Sequence, residues 1–253
     1  MARLRVGCVQ YLNSKPLIHG FGGPVVFDHP SGLARDLAAG KLDVALVPTF
    51  EALRSPGYLL ADGVGICSDG PVYSVFLAHR TPLAEIKSIA LDPASLTSIH
   101  LLQVLLREFH GLQPRLLELA AFPAQADAAL IIGNQAIDFR QGDKAGYEIL
   151  DLGEEWKRCT GLPFVFAPWL LRPGVSDAAR AAEELRALKE YGLAHLDEII
   201  AAEPRDPAFT RRYLTEHIRF DLGDAEKAGI EKFRELLVKH GFIAEQGAAL
   251  RYV

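Results

Sequence analysis

The stretch Leu91–Leu106, LDPASLTSIHLLQVLL, does most to limit what this chain can become. An apolar run, Ser88-Ile89-Ala90-Leu91, enters a polar turn holding Ser95, Thr97 and Ser98, and an apolar helical pattern follows from Ser98 to His110. Strand, hydroxyl-bearing turn and helix, in that order, form the repeating unit of a parallel sheet covered by helices. The unit also makes room for an anion. The first N–H groups of a helix lack partners within it, and the helix dipole makes that end electropositive. An ordinary Ser/Thr N-cap would use the same residues, so the stretch by itself leaves both readings open.

The rest of the chain repeats this layout in two halves. Leu4–Val9 reads as a buried strand, and Tyr11-Leu12-Asn13-Ser14-Lys15-Pro16-Leu17 as the loop leaving it into a short helix. Val25–Phe27 is a second strand, Ser31 is placed to cap a helix over Gly32–Ala39, and Asp43–Val47 is a third strand ending at Pro48-Thr49. Tyr58–Arg80 breaks the alternation: extended chain, a turn at Ser68-Asp69-Gly70-Pro71, then a strand over Val72–Ala78. A second series begins at Ile86, with strands at Ile89–Leu91, near Arg115–Leu119 and at Ala128–Ile132, the last followed by Gly133-Asn134. A short helix over Ala136–Arg140 and an extended piece over Tyr147–Leu152 follow. Pro163–Leu171, long and aromatic, suits a strand crossing back. Beyond Pro173-Gly174 the pattern is helical only, beginning with Ser176 as cap of Asp177–Tyr191 and including Pro207–Glu216 and Ala225–His240.

These elements predict an α/β chain of two lobes, residues 1–80 with 171–253 and an inserted 81–170, with hinges near Arg80 and Leu171. This is a periplasmic-binding-protein-like (type II) fold with an interlobe cleft and C-terminal helices on the first lobe. Ligands in such sheets sit beyond the carboxyl ends of the strands, which gathers Asn13, Thr49, Ser74, Ser95, Thr97, Ser98, Gly133 and Asn134 around one cleft.

Composition narrows the ligand. With 27 Lys and Arg against 32 Asp and Glu, the chain has no basic footprint for nucleic acid, so an anion would be held by local donors. No apolar run approaches the roughly 20 residues that span a bilayer. Three scattered cysteines without a CxxC, and a strand entered at once from the N-terminus, predict a cytoplasmic protein with no disulfide framework, no membrane partner and no signal peptide. The histidines include no HExxH; a Walker A lysine and a GxSxG are missing; Gly63, Gly65 and Gly70 are followed by no helix. No metal and no cofactor are expected. His110 and His240, each before a Gly at a helix end, and Glu154-Glu155 at a helix start read as partners of helix dipoles.

Two cleft residues stand out. Asn13 sits where an asparagine either tolerates an awkward backbone angle or touches a ligand. Ser74 lies in an extended segment where Val or Ile would fit better, and its hydroxyl needs a partner. Phe164, Phe166 and Trp169 read as core, with one of them available to line the cleft.

Taken together, Gln10-Tyr11-Leu12-Asn13-Ser14-Lys15-Pro16-Leu17, Ser68-Asp69-Gly70-Pro71-Val72-Tyr73-Ser74, the Thr97-Ser98 helix start and Asp151–Lys157 through Thr160–Ala167 resemble the menaquinone-biosynthetic chorismate dehydratases of the futalosine pathway. The resemblance spans roughly residues 3–172. It implies the two-lobed fold and the loss of water from chorismate, a small dicarboxylate, to give 3-[(1-carboxyvinyl)oxy]benzoate. It implies Asn13 and Ser74 as the catalytic pair and Thr97 and Ser98 at a substrate carboxylate, and it departs at Asn134, where an Asp is expected. No His or Glu stands at the cleft motifs as a base, so the enolpyruvyl carboxylate of the substrate is expected to take the proton. Asn13 and Ser74 are expected at carboxyl strand ends of the first lobe. The alternatives are a non-catalytic small-anion binding protein on the same fold, and the related enzyme that cyclises dehypoxanthine futalosine.

Overall fold

Short runs of Val, Ile, Leu and Ala, too brief to bury themselves as helices, pair into sheets. The computed structural model describes residues 4–92, 95–118, 126–142, 146–245 and 250–253; Leu119, the end of one expected strand, lies outside them. The strands are β1 (Val6–Cys8), β2 (Val25–Phe27), β3 (Val44–Leu46), β4 (Leu59–Ser68), β5 (Val75–His79), β6 (Ser88–Leu91), β7 (Arg115–Glu118), β8 (Ala128–Ile132), β9 (Glu148–Asp151), β10 (Phe164–Leu171) and β11 (Arg251–Tyr252). The α-helices are α1 (Pro30–Ala38), α2 (Thr49–Arg54), α3 (Thr97–Phe109), α4 (Gly133–Gln141), α5 (Leu152–Thr160), α6 (Ala178–Ala194), α7 (Leu196–Ala201), α8 (Pro207–Arg212) and α9 (Asp224–Lys239). Among the described residues no helix is long and apolar enough to cross a membrane.

Two sheets result, ordered β11-β4-β10-β3-β1-β2 and β7-β6-β8-β5-β9. In the first, β1 pairs in parallel with β2 and β3, while β10 runs antiparallel between β3 and β4. In the second, β6 pairs in parallel with β7 and β8, and β5 is antiparallel to β8 and β9. The alternation predicts crossings near 80 and 170, but pairing puts β5 in the second sheet and β10 in the first. The chain passes between sheets at 69–74 and at 161–163.

The early crossing has a local cause. The N–H groups of Val72 and Tyr73 donate to Oδ1 and Oδ2 of Asp151, at 3.0 and 2.8 Å. The same carboxylate caps α5 by accepting from the N–H groups of Gly153 and Glu154. Asp151 thus ties the incoming chain to the start of α5 before β5 begins. Two expected caps fall elsewhere. Helix α1 starts at Pro30, which has no N–H to satisfy, so Ser31 lies inside it. Asp177, rather than Ser176, caps α6 by accepting from the Arg180 N–H.

The lobes share core. Trp156 of α5 packs edge-on against Phe164 of β10 and Phe233 of α9, with ring centroids 5.2 and 6.0 Å away, and its indole N–H donates to the Pro163 carbonyl at 3.1 Å. Below the cleft, the 3-10 turn Leu12–Leu17 is fixed from two sides. The Ser14 hydroxyl donates to the Val9 carbonyl at 2.7 Å. Gly192 of α6 lies so close that a Cβ there would meet the Pro16 carbonyl oxygen at 1.9 Å. The turn that carries Asn13 therefore has little freedom.

Candidate active site

A cavity of about 560 Å³, measured with its open mouth, lies between the sheets. Asn13, Ser74, Ser95, Thr97 and Ser98 supply its polar lining, with Tyr11 and Phe166 among the walls. Among the described residues no Lys, Arg, Asp or Glu borders it. The β→α connections explain how an anion could still be accommodated. Pro30, Thr97 and Gly133 are the first residues of α1, α3 and α4, and all three border the cavity. Each helix brings the positive end of its dipole. At the 13-residue α3 no side chain caps the first turn, despite three hydroxyl residues nearby. The first N–H groups of α3 therefore face the cavity without a side-chain cap, so the hydroxyl residues do not serve as an ordinary N-cap.

Asn13, as expected, follows the carboxyl end of β1. Ser74 does not sit at a carboxyl strand end of the first lobe. It immediately precedes β5, and because β5 runs antiparallel to β8, with Val75 opposite Ile132, its start lies beside the end of β8. The Ser74 carbonyl accepts the Gly133 N–H at 2.8 Å. Preceding it, Tyr73 has φ +68°, a left-handed conformation that costs a non-glycine residue roughly 1–2 kcal/mol. Besides the Asp151 bond, the Arg140 guanidinium holds it there, 4.3 Å over the Tyr73 ring and bonded to Asp151 Oδ2 at 2.9 Å.

Ser74 is fully buried, and its partner is one that sequence patterns do not point to: the Tyr213 hydroxyl, 2.8 Å from Ser74 Oγ. Tyr213 opens a π-helical turn, Tyr213–His217, after α8 and is itself 1 % exposed. Burial drives its phenol well above the ordinary tyrosine value, against the opposing influence of the polar Ser74 and Asn13 side chains. The only hint in sequence is the i, i+4 pair Phe209/Tyr213 in an amphipathic helix, which signals burial and hence a partner for the hydroxyl. Burial and the charge of Asp92 likewise push the Tyr11 phenol up to about 12, so the cavity wall stays neutral.

The remaining candidates divide. Ser95 is 4 % exposed and its Oγ has no partner; Asn13 Oδ1 is likewise buried without one. Both residues line the cavity, and orphaned polar atoms there mark where a ligand would bond. Ser98 borders the cavity directly. The Thr97 Oγ1 accepts the Phe50 N–H at 3.1 Å, tying α3 to α2, and its own proton remains to donate. Thr49 is structural: its hydroxyl donates to the Val165 carbonyl at 2.6 Å, and it is missing from the cavity lining. Gly133, at φ +63°, presses on Tyr11, where a Cβ would come within 2.8 Å of the ring. Asn134 joins the lobes: its Oδ1 accepts the Leu12 N–H at 3.0 Å and its Nδ2 donates to the Gln10 carbonyl at 3.3 Å. Among the described residues no three His, Cys, Asp or Glu side chains converge as a metal ion would require.

A family model described as menaquinone biosynthesis matches residues 4–239. The chain belongs to the menaquinone biosynthesis family. Relatives of this family member include the chorismate dehydratase of Thermus thermophilus, 31% identical over 268 aligned positions that cover 92% of this chain and 94% of the relative. The chorismate dehydratase of Campylobacter jejuni is 28% identical, covering 88% of each chain. Solved structures with the same fold include a protein of Archaeoglobus fulgidus, with a TM-score of 0.75 at 18% identity, covering 95% of this chain and 98% of that one. The periplasmic aliphatic sulphonate binding protein of Escherichia coli has a TM-score of 0.62 at 17% identity, covering 96% and 94%. The family's chain thus has the periplasmic-binding-protein-like fold that its alternating strands and helices predict.

His110 and His240, read as helix-end cations, do more than face a dipole. His110 Nε2 lies 2.7 Å from Glu155 Oε1, and His240 Nε2 lies 2.8 Å from Glu108 Oε2, joining α3 to α5 and to α9. The first pair braces two helices of the second lobe, the second ties that lobe to α9, and both stand apart from the cavity lining.

Proposed function

We propose that this chain is a carbon–oxygen lyase that removes water from chorismate, giving 3-[(1-carboxyvinyl)oxy]benzoate for menaquinone biosynthesis by the futalosine pathway. The observation that carries the reading is the uncharged cavity with two kinds of polar wall. One is the uncapped start of α3 with Ser95, Thr97 and Ser98, suited to a carboxylate. The other is the pair Asn13 and Ser74, which offers a free amide oxygen beside a hydroxyl. The named activity of two relatives that cover most of the chain supports the same substrate.

The C3–H bond breaks, its electron pair becomes the C3=C4 π bond, and the C4–O bond breaks to release the hydroxyl, which leaves as water with the proton. Aromatisation of the ring drives the step. The C3 proton is allylic and conjugated through C1=C2 to the ring carboxylate, so charge left by its removal delocalises. Among the described residues no carboxylate or imidazole borders the cavity, and the substrate's enolpyruvyl carboxylate serves as the base. Asn13 and Ser74 orient the C4 hydroxyl and stabilise its departure; Ser95 and Ser98 hold a carboxylate. These steps call on no cofactor. Three free cysteines, Cys8, Cys67 and Cys159, suit a reducing cytoplasm.

The test is incubation of purified protein with chorismate and mass analysis of the product, which should be lighter by one water. Ser74→Ala and Asn13→Ala should each lower kcat roughly a hundredfold, as loss of a transition-state hydrogen bond does. Chorismate that binds and returns unchanged would mean a receptor.

A further inference from the structure

The reaction written above gives Tyr213 no part, yet its buried hydroxyl donates to Ser74 Oγ at 2.8 Å. We infer that Tyr213 is a positioning residue that fixes Ser74 as a hydrogen-bond donor into the cavity. This rests on the dehydratase reading.

The Tyr213 hydroxyl donates its one proton to Ser74 Oγ, 2.8 Å away. Ser74 Oγ therefore receives a bond from behind and keeps one proton to give. Ser74 borders the cavity, so the proton is delivered there. A serine without such a partner rotates among staggered positions and presents a lone pair as readily as a proton.

The result is a polarised pair, phenol to serine hydroxyl, in which the bond Ser74 receives strengthens the one it gives. Two complementary groups then line the cavity: the Ser74 O–H as donor and Asn13 Oδ1, buried without a partner, as acceptor. A hydroxyl is the ligand group that satisfies both, donating to Asn13 and accepting from Ser74. A carboxylate or an ether, which has no proton, satisfies only the serine. As the C4–O bond breaks and charge grows on oxygen, the Ser74 donor bond tightens, and a fixed donor needs no reorientation at that moment. The phenol is held by packing: Phe209 stacks at 6.0 Å between centroids and the Tyr73 ring meets it edge-on at 6.4 Å.

The test compares Tyr213→Phe on two backgrounds. In the otherwise wild-type enzyme kcat should fall roughly 10- to 100-fold, the range for groups that orient a reacting residue, while KM changes less than about threefold. In Ser74→Ala, adding Tyr213→Phe should change kcat by less than about twofold, because the donor it orients is already gone. Near-normal kcat in Tyr213→Phe, or an equal loss on both backgrounds, overturns the inference. If Tyr213→Phe does not fold, 3-fluorotyrosine placed at position 213 keeps the hydroxyl and makes it a stronger donor. It should retain or raise kcat, and a loss beyond about tenfold would overturn the inference. Wild-type protein that leaves chorismate unchanged overturns the dehydratase reading and this inference with it, whereas wild-type turnover beside an unaffected Tyr213→Phe overturns the inference alone.

Discussion

Replacing Ser95 by Ala should make the free protein more stable and its substrate binding weaker. Ser95 Oγ is buried at the lip of α3 with no hydrogen-bond partner. An unsatisfied buried hydroxyl costs about 1–3 kcal/mol, and rotation of the hydroxyl or entry of a water brings the gain on deletion toward about 1 kcal/mol. For a chain of this size that is a rise in Tm of about 2–4 °C. In the proposed complex the same hydroxyl would donate to a carboxylate, a bond of about 1.5–3 kcal/mol, so its loss should weaken binding by about 10- to 150-fold. Thermal melts of the free proteins, with KM for chorismate and calorimetric Kd for the product, read both halves. Wild type and variant should therefore change order: the variant melts higher alone, and the wild type melts higher with saturating ligand. A lower Tm for Ser95→Ala together with an unchanged Kd would refute the reasoning, since the hydroxyl would then be serving the fold instead of the ligand.

Asn134→Ala removes both hydrogen bonds between α4 and the chain at Gln10–Leu12, about 1–2 kcal/mol in sum, and so should shift an open–closed equilibrium of the lobes roughly 5- to 30-fold toward open. Small-angle scattering of the free variant should show a larger radius of gyration, and an unchanged profile would exclude Asn134 as a clasp. Burial holds the His100 imidazole, stacked 3.5 Å from Phe50, below its ordinary pKa. The folded value lies under the unfolded one near 6.5, so this contribution to stability is complete above that pH and is lost as pH falls from 6.5 through the lowered value. Denaturant unfolding between pH 7 and pH 5 should show a smaller drop for His100→Gln than for wild type, and equal slopes would remove His100 as the cause. Below that window Glu108 and Glu155, both held under the ordinary carboxylate range by cationic partners, should take over as stability is lost with falling pH.

The alternation of apolar strands with helices, legible residue by residue, was enough to determine an α/β chain, because the period of burial is a local property of each segment. The same is true of the loops that carry Asn13 and Ser74, and of the hydroxyl turn before α3. Pairing is not local. Which sheet β5 joins depends on the Asp151 carboxylate capturing two N–H groups nearly 80 positions earlier in the chain, so the crossings fell elsewhere than the pattern implied. The use of each hydroxyl was also a matter of space. Thr49 and Ser95 are both hydroxyl residues next to helix starts, but β10 lies against Thr49 and takes its proton, while the cavity leaves Ser95 Oγ bare. Asn134 became a clasp because the Leu12 N–H stands within reach of α4 in the folded chain. Tyr213, 139 residues from Ser74, had no sequence signal beyond its place on a buried stripe. Its role exists only once the C-terminal helices close over the cleft, because a hydrogen bond is set by distance in space and a sequence records only distance along the chain.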